Sequence, residues 1–322
     1  MASVWEIILM VLGGLGLFLF AINNLSDTLK ELLGDKAKKW LGYFTKNVFT
    51  AILTGIVITT ILDSSSAVII MTIVLVNAKA LTFRQSMGIV MGANIGTTFS
   101  SQLIALDIGQ YSPIPIFLGL VLSLFSKSER ISKAGKVVLF FGILFFGLYT
   151  MERAVEPLKD DPAFLSWMEK LDDPLRGTAI GALVTLVIQS SSATVGMVLT
   201  LAKKGLINLG GGIAVMIGAE LGTCSDTLLA TIRSDRQAIK TGMFHLLFNV
   251  VSITIGILIL PLFTTFIAHI SGNASIEQKI ANAHMIFNTT GVLIFIPLVP
   301  FIEKLLNRLI PSKETKLSAV PA

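Results

Sequence analysis

The chain has 322 residues, of which 53% are hydrophobic and only 14% are charged. Soluble domains carry about 25% charged residues, so this composition, with a mean hydropathy of +0.80, excludes an ordinary soluble enzyme, a disordered chain and a disulfide scaffold. The net charge of +5 does not indicate nucleic-acid binding, because the basic residues lie in loops between apolar segments, where they set membrane topology. The single cysteine, Cys224, excludes an internal disulfide and a cysteine-built metal site.

Long apolar stretches predict helices that cross a membrane, which needs about 20 residues each. The first stretch is not a predicted signal peptide, because Glu6 and no lysine or arginine precede its apolar run. The sequence therefore predicts an all-α, polytopic membrane protein. In chain order, the predicted full spans are about 4–25, 84–106, 112–126, 135–151, 209–232, 241–266 and 280–302.

Residues 47–78 have the wrong length for a membrane span, being too long for one crossing and too short for two. Three serines and the Asp63 carboxylate at the middle of this segment would be costly against lipid. A re-entrant hairpin of two half-helices, broken at 63–66, avoids that cost. A second hairpin is predicted over 174–204 with its tip at 189–192, and one unbroken span over 177–202 is the alternative.

An internal duplication relates the two hairpins, because residues 59–98 align without a gap with residues 185–224. Both copies contain Ser-Ser-Ser-Ala, followed by Gly-Ala-x-x-Gly-Thr. Three spans and one hairpin separate the starts of the copies, and this odd number of crossings predicts that the second copy is inverted. The predicted units are a first inverted repeat (1–128), a second inverted repeat (129–266), and an extra transmembrane helix with a basic cytoplasmic tail (267–322).

The distribution of charge predicts the orientation of the chain. With two hairpins, most of the 25 lysines and arginines fall on one side, which the positive-inside rule makes cytoplasmic. The C-terminus is then cytoplasmic, the N-terminus external, and the first hairpin opens from the cytoplasm. We expect a multi-pass protein of the inner or plasma membrane that contacts the lipid bilayer and does not bind nucleic acid. Whether it forms a homodimer is left open.

The serine-rich tips predict an anion site. A half-helix that begins inside the membrane presents unpaired N–H groups and the positive end of its dipole, and serine hydroxyls add further donors. Two such tips that face each other suit a tetrahedral oxyanion. No lysine or arginine lies near either tip in the sequence, so bound cations are expected to balance the charge of the anion. The candidate anion ligands are Ser64, Ser65, Ser66, Gln189, Ser190, Ser191 and Ser192.

Oxygen-bearing side chains in and near the repeated motifs predict sites for sodium, the only metal expected. Each half has one carboxylate and one amide in swapped positions, so Asp63 and Glu220 are hypothesised to occupy inverted-related places and to hold cations or a proton. The alternatives are that the motifs only pack helices and that Asp63 caps a half-helix. The candidate cation ligands are Asp63, Asn94, Thr97, Thr98, Ser100, Glu220, Thr223 and Asp226.

A weaker repeated pattern, His-x-x-Phe-Asn, begins at His245 and again at His284. It predicts that Asn249 and Asn288 form hydrogen bonds that support a hairpin. Structural contacts between helices are an equally good explanation of the pattern.

The paired motifs resemble those of the type II sodium–phosphate cotransporter family, especially its compact bacterial members. That family carries a duplicated Gln-Ser-Ser-Ser, each copy followed by Gly-Ala/Ser-Asn-Ile-Gly-Thr, and the likeness covers about residues 10–300. It implies transport of inorganic phosphate with Na⁺ as the coupling ion, no cofactor, and substrate at the two tips. The chain departs from the family pattern at Asp63, Glu220 and Asp226, which bears on stoichiometry and pH dependence. The sodium ligands of the second half that the resemblance implies are Gln189, Ser190, Thr223 and Asp226.

The favoured function is a sodium-coupled secondary transporter that moves phosphate by alternating access and is not an enzyme. A passive anion channel or a phosphate exporter of the same fold is the alternative. An intramembrane serine hydrolase is a distant third, because His245 and His284 lie far along the chain from the serines and two equivalent tips do not form one active site.

Overall fold

A computed structural model describes residues 4–106, 108–232 and 234–311. Within those ranges the regular structure is entirely helical, which confirms the all-α prediction. The α-helices are α1 (Val4–Phe44), α2 (Val48–Leu62), α3 (Ser65–Asn77), α4 (Phe83–Ile104), α5 (Pro113–Phe125), α6 (Glu129–Val155), α7 (Pro162–Glu169), α8 (Pro174–Ile188), α9 (Ser191–Lys203), α10 (Leu209–Gly222), α11 (Cys224–Ala230), α12 (Arg236–Leu258), α13 (Leu260–Ile270), α14 (Ile276–Phe295) and α15 (Val299–Leu309).

Several of these helices are membrane-spanning by length and composition. Among the described residues, five are long and apolar enough to cross a bilayer. Large apolar side chains also cover much of the surface, with Phe125 79% exposed and Leu258 76% exposed, as expected where a protein faces lipid rather than water. The chain is therefore a polytopic membrane protein. The five candidate spans are Val4–Phe44, Glu129–Asp160, Leu209–Ala230, Arg236–Leu258 and Ile276–Leu309.

One helix is much longer than its predicted span, another predicted span is too short to cross a bilayer, and a third is divided between two helices. The predicted span 4–25 is the start of α1, which continues as one helix of 41 residues to Phe44; at 1.5 Å per residue it measures about 60 Å, about twice the hydrocarbon core. Hydropathy marks only its apolar part, whereas the lysine, leucine and glutamate of residues 27–44 also favour helix. The predicted span 112–126 coincides with α5, but the 13 residues of α5 measure about 20 Å, which is less than the hydrocarbon core of about 30 Å. The predicted span 241–266 is divided between α12, which ends at Leu258, and α13, which begins at Leu260.

Each predicted tip coincides with a break between two helices. Asp63 and Gln189 have left-handed backbones, with φ of 51° and 58°, and the serine that follows each of them is extended. The hydroxyl oxygens of Ser64 and Ser190 then accept hydrogen bonds at 3.2 Å from backbone N–H groups of the next helix. The alternative of one unbroken span over 177–202 is therefore wrong. That each helix pair re-enters the membrane from one side, with the second repeat inverted, stays a prediction.

Buried side chains place α12 and α14 against both halves of the chain. One hydrophobic cluster joins Ile69 of α3 to Phe248 of α12, and another joins Val195 of α9 to Ile253 of the same helix. All four side chains are at most 5% exposed. The second helix of each broken pair is thereby held against one common support, which positions the two tips.

Matched glycines bring two helices of each half into backbone contact. A Cβ atom at Gly92 of α4 would lie 2.1 Å from the carbonyl oxygen of Ile52 on α2. A Cβ atom at Gly218 of α10 would lie 2.0 Å from the carbonyl oxygen of Thr178 on α8. Gly92 and Gly218 are equivalent in the duplication, so both halves use one packing device that only glycine permits.

We expect Gly92→Ala and Gly218→Ala each to lower the free energy of unfolding by at least about 1–3 kcal/mol. The added methyl group meets a backbone carbonyl, which cannot rotate away as a side chain could. Thermal unfolding in detergent, followed by size-exclusion chromatography, measures the effect. Gly13→Ala is the control, because among the described residues no atom beyond the adjoining backbone of α1 lies within 4 Å of its Cβ position. Equal melting of all three variants would contradict the packing described.

Candidate functional site

The two tips meet in one cavity of about 320 Å³, which we call the tip cavity. Its wall combines the seven predicted anion ligands with Asp63, with Thr223 from the end of α10, and with one face of α1. Residues separated by more than a hundred positions in sequence thus share one space. The lining residues are Ile22, Asn23, Ser26, Asp27, Lys30, Asp63, Ser64, Ser65, Ser66, Gln189, Ser190, Ser191, Ser192 and Thr223.

The serines that begin α3 and α9 keep hydrogen-bond donors available. Ser64 and Ser190 act as N-caps through their oxygens, which leaves their hydroxyl protons unused by that contact. The hydroxyls of Ser65 and Ser191 form no hydrogen bond with the rest of the described chain. The first backbone N–H groups of both helices also lack intrahelical acceptors. The tip cavity is therefore rich in donors and can bind an anion without a permanent positive charge at the tips.

One carboxylate, Asp63, belongs to the first tip (residues 63–66), and a second, Asp226, contacts it. Asp63 accepts a hydrogen bond from the hydroxyl of Ser100 on α4. Asp226, on α11 of the second half, accepts one from Ser66 at 3.2 Å and one from its neighbour Ser225 at 3.3 Å. Carboxylate oxygens from the two halves of the chain therefore converge on this tip, beside the donors that suit an anion.

Three of the four predicted cation ligands on α4 bond to their own helix. Asn94, Thr97 and Thr98 are buried, and each donates a hydrogen bond to a backbone carbonyl three or four residues earlier. Their oxygens retain lone pairs, but none of the three lines the tip cavity. Their role as sodium ligands stays a prediction.

Glu220 lies outside the tip cavity and pairs with a histidine that sequence analysis did not assign to it. His284 Nε2 lies 2.7 Å from a Glu220 carboxylate oxygen, and His284 Nδ1 lies 2.7 Å from the Ser101 hydroxyl. All three side chains are at most 3% exposed. This buried chain links α10, α14 and α4, so Glu220 and Asp63 occupy unlike environments.

Among the described residues, the two asparagines of the repeated His-x-x-Phe-Asn pattern form their hydrogen bonds with groups outside the two hairpins. Asn249 donates to the backbone carbonyl of Glu220 on α10 at 2.8 Å, and Asn288 donates to the carbonyl of His284 on its own helix. Among the described residues, Asn249 makes the interhelical contact that was the alternative explanation. Asn249 and Asn288 are both 2% exposed.

One lysine that is distant from both tips in the sequence lies in the cavity between them. Lys30 of α1 lines the tip cavity and forms an ion pair of 3.0 Å with Asp27. Sequence analysis missed it because α1 was expected to end near residue 25. The available signal is the four-residue spacing of Ile22, Ser26 and Lys30, which places them on one helical face.

One family of known proteins and two bacterial relatives match most of the length of this chain. The profile of a family described as Na⁺/Pi-cotransporter matches residues 17–153 and 161–295. "Uncharacterized protein YqeW" of Bacillus subtilis is 29% identical over 92% of this chain and 96% of its own length. "Putative inorganic phosphate export protein YjbB" of Escherichia coli K12 is 24% identical over 96% of this chain, which spans 58% of that protein.

A mammalian protein matches over a shorter region. "Sodium-dependent phosphate transport protein 2A" of Rattus norvegicus is 30% identical over 32% of this chain and 17% of its own length. No solved structure matches the chain.

Proposed function

Because the chain belongs to the Na⁺/Pi-cotransporter family, we propose that it is a secondary transporter that couples the movement of inorganic phosphate to sodium. The family is one of phosphate transporters and not a class of enzymes, so the serine hydrolase alternative is set aside. Membership of this family supports the transport of phosphate. We propose in addition that sodium is the coupling ion, that specific residues bind phosphate and sodium, and that transport proceeds by alternating access.

The observation that carries the proposal is the single cavity between two serine tips. Phosphate presents four oxygens in a tetrahedron, and donors that approach from two sides satisfy more of them than one helix end could. The hydroxyls of Ser65 and Ser191 are proposed as direct ligands, with the other tip residues completing the site. The full proposed set is Ser64, Ser65, Ser66, Gln189, Ser190, Ser191 and Ser192.

Sodium is proposed to bind next to the phosphate, where Asp226 contacts the first tip and where Asp63 of that tip accepts a hydrogen bond from Ser100. Burying an anion or a cation alone is costly, whereas each lowers the desolvation cost of the other. This mutual dependence is the physical basis proposed for coupling. The further proposed ligands are Asn94, Thr97, Thr98, Ser100, Gln189, Ser190, Glu220 and Thr223.

The proposed cycle is alternating access by two inverted units, residues 1–128 and 129–266, with a cytoplasmic C-terminus. The matching helix breaks and matching glycine contacts of the two halves support it. Broken helices that meet at a repeat interface form the substrate site in transporters of this architecture.

The second candidate is export of phosphate, which the name of the Escherichia coli relative favours. The direction in the cell follows from the sodium and phosphate gradients rather than from the binding site itself. The structural proposal for the tips is the same in either direction.

Uptake of radiolabelled phosphate into proteoliposomes tests the proposed function. We expect uphill accumulation that requires an inward sodium gradient and that a potassium or a proton gradient does not replace. Downhill flux that equilibrates without any gradient would indicate a passive anion channel. Absence of phosphate flux under every gradient would contradict the proposal.

A further inference from the structure

One face of α1 forms a wall of the tip cavity. Ile22, Ser26 and Lys30 recur at four-residue spacing, and Asn23 and Asp27 lie beside them on the same face. The other walls consist of tip residues and Thr223, none of which is cationic. Lys30 therefore supplies the positively charged side chain of the cavity lining.

A specific hydrogen bond holds this face of α1 against the first tip. The hydroxyl of Ser26, which is 6% exposed, donates to the backbone carbonyl of Leu62 at 3.2 Å. Leu62 is the last residue of α2, where the helix break leaves carbonyls without intrahelical donors. Lys30 lies one helical turn beyond Ser26. The hydrogen bond from Ser26 to Leu62 therefore holds the backbone of Lys30 close to the first tip.

The exposure of the ion pair places it at the rim of the cavity rather than in its interior. The side chain of Lys30 is 38% exposed and that of Asp27 is 70% exposed. A half-exposed cation at the edge of a donor-rich cavity attracts an approaching anion and raises its local concentration. Asp27 offsets part of that attraction, because it holds a negative charge 3.0 Å from the ammonium group.

In the second half of the chain the equivalent ion pair has its two charges exchanged, because Asp27 corresponds to Arg153, which lies 3.8 Å from Glu156. In the duplication, Ser26 corresponds to Glu152 and Lys30 corresponds to Glu156. Those two glutamates lie near the end of α6 and form ion pairs with Lys204, at 3.0 Å and 3.6 Å. This equivalent face of α6 does not line the tip cavity, whereas the face of α1 that carries Lys30 does. The attraction by Lys30 therefore belongs to one end of the transport path.

We propose that Lys30 is a phosphate-capture residue that acts at one membrane face only, and that Asp27 tunes its strength. This inference rests on the proposed function and deepens it. Lys30 sets the affinity for phosphate at the face where α1 borders the cavity, whereas the serine tips bind the anion from both faces. We place this face on the cytoplasmic side, according to the charge distribution.

The experiment measures the KM for phosphate separately at each face, in proteoliposomes of defined orientation. Lys30→Met is expected to raise KM about three- to tenfold at one face, with little change in maximal rate or in KM at the other face. Lys30→Arg should retain most of the affinity, and Asp27→Asn should lower KM at the same face. Added choline chloride at constant sodium should shrink the difference between Lys30→Met and wild type.

Lys38→Met is the matched control. Lys38 lies two turns further along α1 and pairs with Asp35 at 4.0 Å, in the same three-residue spacing, but it does not line the cavity. It should leave both KM values unchanged. A Lys30→Met variant that behaves like Lys38→Met, changes KM equally at both faces, or loses affinity independently of salt would overturn the inference alone. A wild-type protein that moves no phosphate would overturn the proposed function as well.

Discussion

Replacing Ser65 and Ser191 together with alanine is expected to reduce the initial rate of phosphate transport by about 100-fold or more, with the protein still folded. The two residues occupy equivalent first positions of α3 and α9, line the tip cavity, and have hydroxyls without a partner in the described chain. A hydrogen bond to a charged group contributes about 1.5–3 kcal/mol. Losing two therefore costs about 3–6 kcal/mol, a factor of about 10² to 10⁴. Radiolabelled uptake into proteoliposomes at fixed phosphate measures the rate.

The control is Ser166→Ala, because Ser166 lies on α7 and its hydroxyl bonds to the backbone of its own helix at 3.0 Å. It should transport at the wild-type rate. The two single variants should each be impaired, since the duplication gives both tips the same role. If the double variant kept more than half of the wild-type rate, the serine tips would not be the phosphate site.

The sodium dependence of transport is expected to shift strongly in Asp63→Asn and Asp226→Asn. Each variant removes one negative charge at the first tip and keeps an oxygen that accepts the hydrogen bond from Ser100 or Ser66. A charge near the cation in a poorly solvated site is worth more than in water. We expect the half-saturating sodium concentration to rise at least about tenfold in either variant. Transport rate against sodium at saturating phosphate provides the measurement.

Asp35→Asn is the control for these variants, because the Asp35 side chain on α1 is 97% exposed. Its sodium dependence should match that of the wild type. If Asp63→Asn changed neither the sodium dependence nor the proton sensitivity of transport, Asp63 would serve only to hold the first tip against α4 through its hydrogen bond from Ser100. If Asp226→Asn left the sodium dependence of transport unchanged, Asp226 would not be a ligand of the proposed sodium site.

The positions of the helix breaks were predictable because the sequence leaves few alternatives there. A run of three serines flanked by apolar residues cannot face lipid, and the duplication repeats that run in a second place. Asp63 and Gln189 accordingly adopt the same left-handed backbone, and both triple serines line one cavity. The repeated motif therefore predicts the positions of the two helix breaks even when the tertiary contacts are unknown.

The contacts that sequence analysis missed join residues that are distant in the chain. The pairing of Glu220 with His284 depends on how α10 and α14 pack, which hydropathy does not encode. The role of Lys30 depends on the continuation of α1 beyond its apolar part and on the bond from Ser26 to Leu62. Repeat symmetry did not reveal it either, because the equivalent position is Glu156.

An electron cryo-microscopy map of the protein in a lipid bilayer with sodium and phosphate tests the central claim most directly. We predict a tetrahedral density in the tip cavity, within about 3 Å of the hydroxyl oxygens of both Ser65 and Ser191. A map that places these two serines far apart, or on continuous helices in contact with acyl chains, would contradict the account.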